Sequence, residues 1–548
     1  MDPMWTREVR LSQRRLDPLG LSRVSQWLTD QLLPGITTVT SIARNYSFYV
    51  WAISNLLKMN RITSRSLFAS NLTKREAAFV IASISHETGK ANRLNPHGYD
   101  KAQRFINQLN NGKVQVAFDV SDSNPEGFYG LYYRTAMFRL GLTITSRIFD
   151  DLTPLGRQLA AEYESNVKDT EYLKNHVQDD EVDKSILTEY GNNACICRLV
   201  QPTKERDLLR NIMFSDNLKF LSLEQSRKET LVLVLHLIRQ CNNYGIDFVS
   251  DIFRDAVFFG QATDGKTVFD FDFKGFHDIA ARWHLFQLHE YLTYTMESLL
   301  HVLINELKKK DEGLSFDDFL SLVGDVNTLI STALRISPAG TIKQAIESVL
   351  ADYQLGGLND KASRHFDRSC NLRKTVSEKE LFGHLQNAIR NNKLHKTISY
   401  AAAILLLNYI RSYHLLDSVD QITLWFTSRA LPELGPISFA YEIRGKTSTW
   451  TMNDLVRYCF KTVRDQHNTI ALDKLLSGND TYRFEEKGNL LKFKMDIYPN
   501  YPSYRGSKIE SVLSILEQLG LVGTQGNVKS LTPDGEKVLR EWLRERVN

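Results

Sequence analysis

The chain of 548 residues contains no apolar run long enough to span a membrane. Its most apolar stretches, "TLVLVLHLI" at 230–238 and "AAAILLLNYI" at 401–410, reach about half the length a spanning helix needs and read as buried core helices. The N-terminal "MDPMWTREVRLSQRR" lacks an apolar h-region and a small-residue cleavage site, so no secretory signal is expected there. Cysteine is scarce: five residues, an odd number without an export signal, point to reduced thiols and a cytoplasmic setting. Cys195 and Cys197 form a lone C-x-C with no second cysteine pair nearby. No metal is expected, and the two read as small core residues. A formal charge of +4 gives no general attraction to polyanions, so any nucleic-acid site has to be local. Catalytic signatures are missing too. No P-loop, G-x-S-x-G, H-E-x-x-H or dinucleotide fingerprint occurs, and a non-enzymatic chain without a cofactor is expected.

What is present is an ordinary globular composition, 42% hydrophobic and 24% charged, at a length that suits two to four domains. Apolar spacing predicts a mainly α-helical, multidomain fold. Two helical pieces fall within 11–58 and another at 74–86. Long amphipathic helices follow at 202–214, 224–245, 275–310, 340–354 and 377–412. Asp150 to Glu189 carries eleven acidic against four basic side chains, and "QDDEVDKS" at 178–185 has no apolar period, which suggests a solvated helix and a linker. The alternating "DTYRFEEKGNLLKFKMDIY" around Lys487-Gly488-Asn489 is the strongest hairpin signal. The expected division is 1–170, 171–360, 361–475 and 476–548, with hairpin-bearing modules in the first and last parts.

Those modules share a spelling. "LGLTITSRIFDDLTPLG", Leu140 to Gly156, and "LGLVGTQGNVKSLTPDG", Leu519 to Gly535, both write L-G-L, nine residues, then L-T-P-x-G. In the second, Ile509, Val512, Leu516 and Leu519 recur at helical spacing and Gly520 sits where a helix needs a left-handed cap. A short hairpin follows, and Thr532-Pro533 supplies an N-cap before a first-turn proline. Helix, turn, hairpin, helix is the order in the second half of a winged helix-turn-helix, which both segments resemble. A module that grips DNA needs cations at its helix and wing. Candidates are Arg505, Lys508 and Lys529 in the second copy, opposed by Glu510 and Glu517, and Arg147 in the first. Tyr498, Tyr501 and Tyr504, interleaved with Arg505 and Lys508, could stack unpaired bases or could anchor a loop on the protein's own core.

Three further groups have bland alternatives. "SHETGKANRLNPHGYD" gathers His86, Glu87, His97 and Asp100 in a composition that could hold a metal, but a surface loop is the plainer reading. His277 and His284, two turns apart on one helix, are too distant to share an ion and read as packing or solvent-facing residues. Asp480, Glu485 and Lys487 fit the acid-x-Lys spacing of restriction-type nucleases, or a charged exposed hairpin.

The N-terminal "LDPLGLSRVSQWLTDQLLPGITTVTSIARNYSFYVWAI", continuing through "LTPLGRQLA", resembles proteins of antiphage-defence clusters that encode large helicases, such as Druantia-type systems. The resemblance implies a non-enzymatic subunit that assists a helicase or nuclease partner, with DNA as a possible ligand and no membrane partner. A DNA-binding or scaffolding role is therefore expected. A pure protein scaffold and a cryptic nuclease are the alternatives.

Overall fold

The computed structural model describes residues 17–59, 62–87, 95–108, 112–145, 149–215, 226–263, 268–353, 376–415, 435–497, 501–525 and 528–547. It is mainly α-helical, with small antiparallel sheets only. No described helix is long and apolar enough to cross a membrane.

The first stretch begins with α1 (Leu21–Leu32), α2 (Arg44–Leu57), α3 (Arg65–Glu87) and α4 (Tyr99–Asn107). The aromatic face of α2 is a core feature: Tyr46, Phe48, Tyr49 and Trp51 are all buried, with Phe48 stacked on Phe79 at 4.2 Å. Next come β1 (Lys113–Gln115), a π-helical turn at Tyr129–Tyr133 and α5 (Arg134–Arg139). They lead into β2 (Thr143–Ile144), β3 (Asp151–Leu152) and α6 (Pro154–Val167). A second π-helical turn, Tyr172–His176, leads to β4 (Glu181–Asp183) and α7 (Lys184–Ala194). After a 3-10 turn at Ile196–Val200 come α8 (Lys204–Met213), α9 (Arg227–Asn243) and α10 (Ser250–Phe259).

The acidic segment expected to be a linker is structured. β4 pairs antiparallel with β1, Val182 opposite Val114, and both valines are buried, as is Tyr172. The acidic side chains lie on the exposed side of a few well-spaced apolar anchors, and three residues are too few to show a period.

The middle stretch holds β5 (Gln261–Thr263), β6 (Val268–Asp270), α11 (His277–Lys308), β7 (Leu314–Ser315), α12 (Phe316–Val323), α13 (Asn327–Leu334) and α14 (Ile342–Tyr353). It continues with α15 (Glu378–Arg390), α16 (Leu394–Leu415), α17 (Pro436–Arg444), α18 (Met452–Leu476), β8 (Phe484–Lys487) and β9 (Leu490–Phe493). α11 packs against α16 and α18 and is buried almost all round. The helix expected at 377–412 is two helices, because Asn392 takes φ 49, a left-handed conformation that asparagine tolerates better than most residues. The hairpin around Lys487-Gly488-Asn489 forms as expected, with Lys487 paired to Leu490 and Gly488 at φ 65, and β7 joins its far edge.

The chain closes with α19 (Ile509–Gln518), β10 (Val522–Gln525), β11 (Val528–Leu531) and α20 (Pro533–Val547). Its contacts divide the chain into two compact units, 1–28 with 254–506, and 29–253 with 507–548. This differs from the expected boundaries at 170, 360 and 475. The C-terminal module completes a unit begun by 29–253, because its partners are α8 and α9, far upstream. Arg210 of α8 donates to the Leu519 carbonyl at 2.6 Å and pairs with Asp534 at 2.8 Å, while α9 backs β11 and α20.

Candidate functional site

The shared spelling produces a shared geometry. In the first module Gly141 adopts φ 67 and the Leu142 amide donates to Met137 O at 3.0 Å, which ends α5. Thr153 then donates its hydroxyl to Gly141 O (2.6 Å) and its amide to Leu142 O (3.1 Å), and accepts from the Gly156 amide at 3.0 Å. In the second module Gly520 adopts φ 68 and Leu521 donates to Leu516 O at 2.9 Å. Thr532 donates to Gly520 O (2.7 Å) and Leu521 O (3.1 Å), and accepts from the Gly535 amide at 3.2 Å. A Cβ at Gly156 or at Gly535 would stand 2.1 Å from the carbonyl oxygen of Leu142 or Leu521, so both positions need glycine. Each hairpin is backed by a helix that opens on a buried arginine, Arg44 for α2 and Arg227 for α9, each 1% exposed. In each module the backing helix comes from well upstream in the chain.

The helices a winged helix would offer to a DNA groove are occupied. Seven of the ten residues of α19 are buried, and the rest are Glu510, Ser514 and Glu517. Its Gln518 accepts from the Ala43 amide at 2.9 Å and donates to Ser41 O at 2.8 Å, tying α19 to the turn before α2. In α5, Ala136 and Met137 are buried, Arg134 pairs with Asp150 at 2.7 Å, and Arg139 pairs with Asp30 at 2.7 Å. Asp30 also holds Lys508, at 2.9 Å. One carboxylate therefore anchors the last residue of α5 and the residue before α19.

Of the candidate nucleic-acid residues, Tyr501, Tyr504, Lys508 and Lys529 make their contacts within the protein, while the side chain of Arg505 is exposed. In the unit formed by 1–28 and 254–506, Tyr504 donates to Gln287 at 3.0 Å and its ring lies 5.0 Å from that of Phe382. Burial pushes the Tyr504 hydroxyl up to about 12 and that of Tyr501 well above its ordinary range. The amides of Ser503 and Arg505 donate to Glu297 (3.1 Å) and Glu290 (2.9 Å) of α11. Burial, opposed by those amide bonds, raises Glu290 to about 7 and Glu297 well above the carboxylate range. Of the two readings of the tyrosine segment, loop anchoring fits Tyr501 and Tyr504. In the other unit Lys508 is 9% exposed in its pair with Asp30. Lys529 pairs with Glu517 at 3.1 Å, and its amide donates to Asp247 at 3.1 Å. Tyr498 and Arg147 lie outside the described residues.

Asp480 and Glu485 do converge, but Lys494 stands between them at 2.7 Å from each, where a nuclease would place its metal. Lys487 adds a second cation to Glu485 at 3.3 Å. The four form a charge-neutral cluster on the hairpin. His284 and His289 of α11 are buried packing residues, bonded to Val257 O at 3.2 Å and Leu21 O at 3.1 Å. His97 packs against aromatic rings and bonds Val39 O at 2.8 Å.

Cys195 is a buried core residue, as its reading had it, but the C-x-C has two further ligand-type side chains beside it. His86 and Glu87 end α3 instead of sitting in a loop, and the fold brings them against both thiols, within 4.8 Å from ligand atom to ligand atom. Spacing gave no hint, since the two halves are more than a hundred residues apart. The adjacent His-Glu and the C-x-C were each visible, and only the packing of α3 on α7 joins them. Comparison with protein-family models, with curated proteins and with solved structures gives no match.

Proposed function

We propose that this chain is a non-enzymatic scaffolding subunit of a multiprotein assembly, the antiphage-defence setting being carried by the resemblance of its N-terminal segment. Its two winged-helix-like modules act as internal docking elements that hold a helical body together, not as readers of DNA. The observation that carries this reading is the burial of α19 within its own unit. The side chains α19 leaves accessible include Glu510 and Glu517, which repel phosphate. Arg139, Lys508 and Lys529 are each paired with a carboxylate of the same chain.

A scaffold needs surface for partners. The last turns of α18 offer Leu472, Leu475 and Leu476, exposed at i, i+3 and i+4 spacing, with Leu476 81% accessible. Such a strip is costly to leave in water and fits shielding by a protein neighbour.

Co-expression of the tagged chain with its genomic neighbours, followed by affinity purification with and without nuclease, tests the proposal. The expected result is a neighbouring gene product, a helicase-type protein among them, retained after nuclease and reduced by Leu476→Asp. Loss of every such partner on nuclease treatment would overturn it.

A further inference from the structure

Two parts of the 29–253 segment meet where α3 ends and α7 gives way to the 3-10 turn. Gly191 makes the meeting possible. A Cβ there would stand 2.3 Å from Ala82 O and 3.1 Å from the Cβ of His86, so α7 lies on α3 at backbone contact. Arg44 fixes the opposite side. Its Nη1 donates to Cys195 O at 2.6 Å, while Nε and Nη2 hold Glu205 at 3.2 and 3.1 Å, with both side chains buried.

Four ligand-type atoms converge there. His86 Nδ1 is 3.2 Å from Glu87 Oε1 and 3.5 Å from Cys197 Sγ, and Cys195 Sγ is 3.5 Å from the same Glu87 oxygen. A tetrahedral zinc with bonds of about 2.0–2.1 Å to N and O and about 2.3 Å to S has edges of roughly 3.3 Å for N–O and roughly 3.6 Å for N–S or O–S. Three of the six edges match these, and the other three lie within 4.8 Å.

We propose that His86 Nδ1, a Glu87 carboxylate oxygen, Cys195 Sγ and Cys197 Sγ form a zinc site. All four positions are filled by protein, so the site is closed and structural, a staple between the end of α3 and the start of the 3-10 turn. Two thiolates and a carboxylate around Zn²⁺ leave a net charge of −1. Arg198, whose Nη2 lies 3.2 Å from His86 Nε2, supplies the compensating charge. Without metal, His86 accepts from Arg198 at Nε2 and carries its proton on Nδ1. Zinc takes Nδ1, the proton moves to Nε2, and the guanidinium turns toward the ligand oxygens and sulfurs. Cys195 and Cys197 release their thiol protons to solvent, about two per zinc.

The test uses the full-length chain, purified under reducing conditions. Elemental analysis after dialysis is expected to find about one zinc per chain. Zinc added to the chelated protein should release about two protons, because the thiols must deprotonate to bind it. Cobalt(II) in its place should give near-ultraviolet thiolate charge-transfer bands and the strong visible bands of a tetrahedral site. Cys197→Ser should weaken zinc binding at least tenfold and shift the cobalt spectrum, while Cys241→Ala should leave both unchanged. Because replacing the buried Cys195 can unfold the chain, the cobalt spectrum of the unmodified protein decides independently of any variant. A weak, octahedral cobalt spectrum would overturn the proposal, as would full zinc retention in the folded Cys195→Ala/Cys197→Ala double variant.

Discussion

Thr532 caps α20 and ties down Gly520 with the same three hydrogen bonds by which Thr153 caps α6 and ties down Gly141. The two threonines are therefore equivalent parts of one repeated device. Thr153→Ala and Thr532→Ala should each cost about 1–2 kcal/mol, the cost of a lost N-cap together with a lost hydroxyl-to-carbonyl bond. Serine at either position should recover most of it. Urea unfolding measures both, and a cost at one site without a cost at the other would contradict the equivalence.

The glycines that close the two motifs should be less forgiving. Gly156→Ala and Gly535→Ala each place a methyl 2.1 Å from a carbonyl oxygen, which only backbone movement can relieve. Each is expected to cost more than the threonine change, about 3 kcal/mol or above. Gly383, with open space around it and no positive φ, is the control for steric effects.

Asp30 holds Arg139 and Lys508 at once, and its side chain is only 11% exposed. Asp30→Ala leaves two cations without their partner, one of them 9% exposed, and should destabilise the unit by about 2–3 kcal/mol. The double variant Asp30→Ala/Lys508→Met should regain part of that loss, since removing both charges of a buried pair costs less than removing one. Thermal unfolding of the three proteins gives the comparison.

Glu76 carries a pH signature. Burial, opposed by the hydrogen bonds from the Tyr49 hydroxyl and the Phe128 amide, raises its carboxyl to about 8. Between about pH 4.5 and 8 the native chain keeps a proton that the unfolded chain has released, so this group makes stability fall as pH rises through that window. Glu76→Gln can preserve both contacts, with its amide NH₂ donating to Tyr49 and its oxygen accepting from Phe128. The variant should show a flatter decline toward pH 8 and match or exceed the parent there. Buried His284, His289 and His467, lowered by burial to about 3, 4 and 4, act in the opposite sense below pH 6.5. Their contribution is common to both proteins and cancels in the difference. A variant whose stability falls with pH as steeply as the parent's would contradict the assignment.

Much of the fold was legible because local chemistry writes it. Thr-Pro announced the starts of α6 and α20, Gly520 the end of α19, and Gly488-Asn489 the turn of the β8–β9 hairpin. Helical periods placed α8, α9, α11 and α14 to within a few residues. What stayed hidden depends on partners distant in the chain. Leu519 and Gly520 are held by Arg210, some three hundred residues upstream, and no local pattern could show that 29–253 and 507–548 make one unit. The same holds for the sites. Glu517 was already visible as an acid opposing Lys529, but nothing local shows that Asp30, far upstream, pairs with Lys508. Cys195 and Cys197 look alone until α3 delivers His86 and Glu87.

The scaffolding account is tested most directly by titrating the purified chain, at low salt, against fluorescently labelled single- and double-stranded DNA. The account predicts only weak binding, unaltered when Arg505, Lys508 and Lys529 are reversed in charge in a variant shown to remain folded. Tight binding that falls steeply with salt and is abolished by those reversals would contradict it.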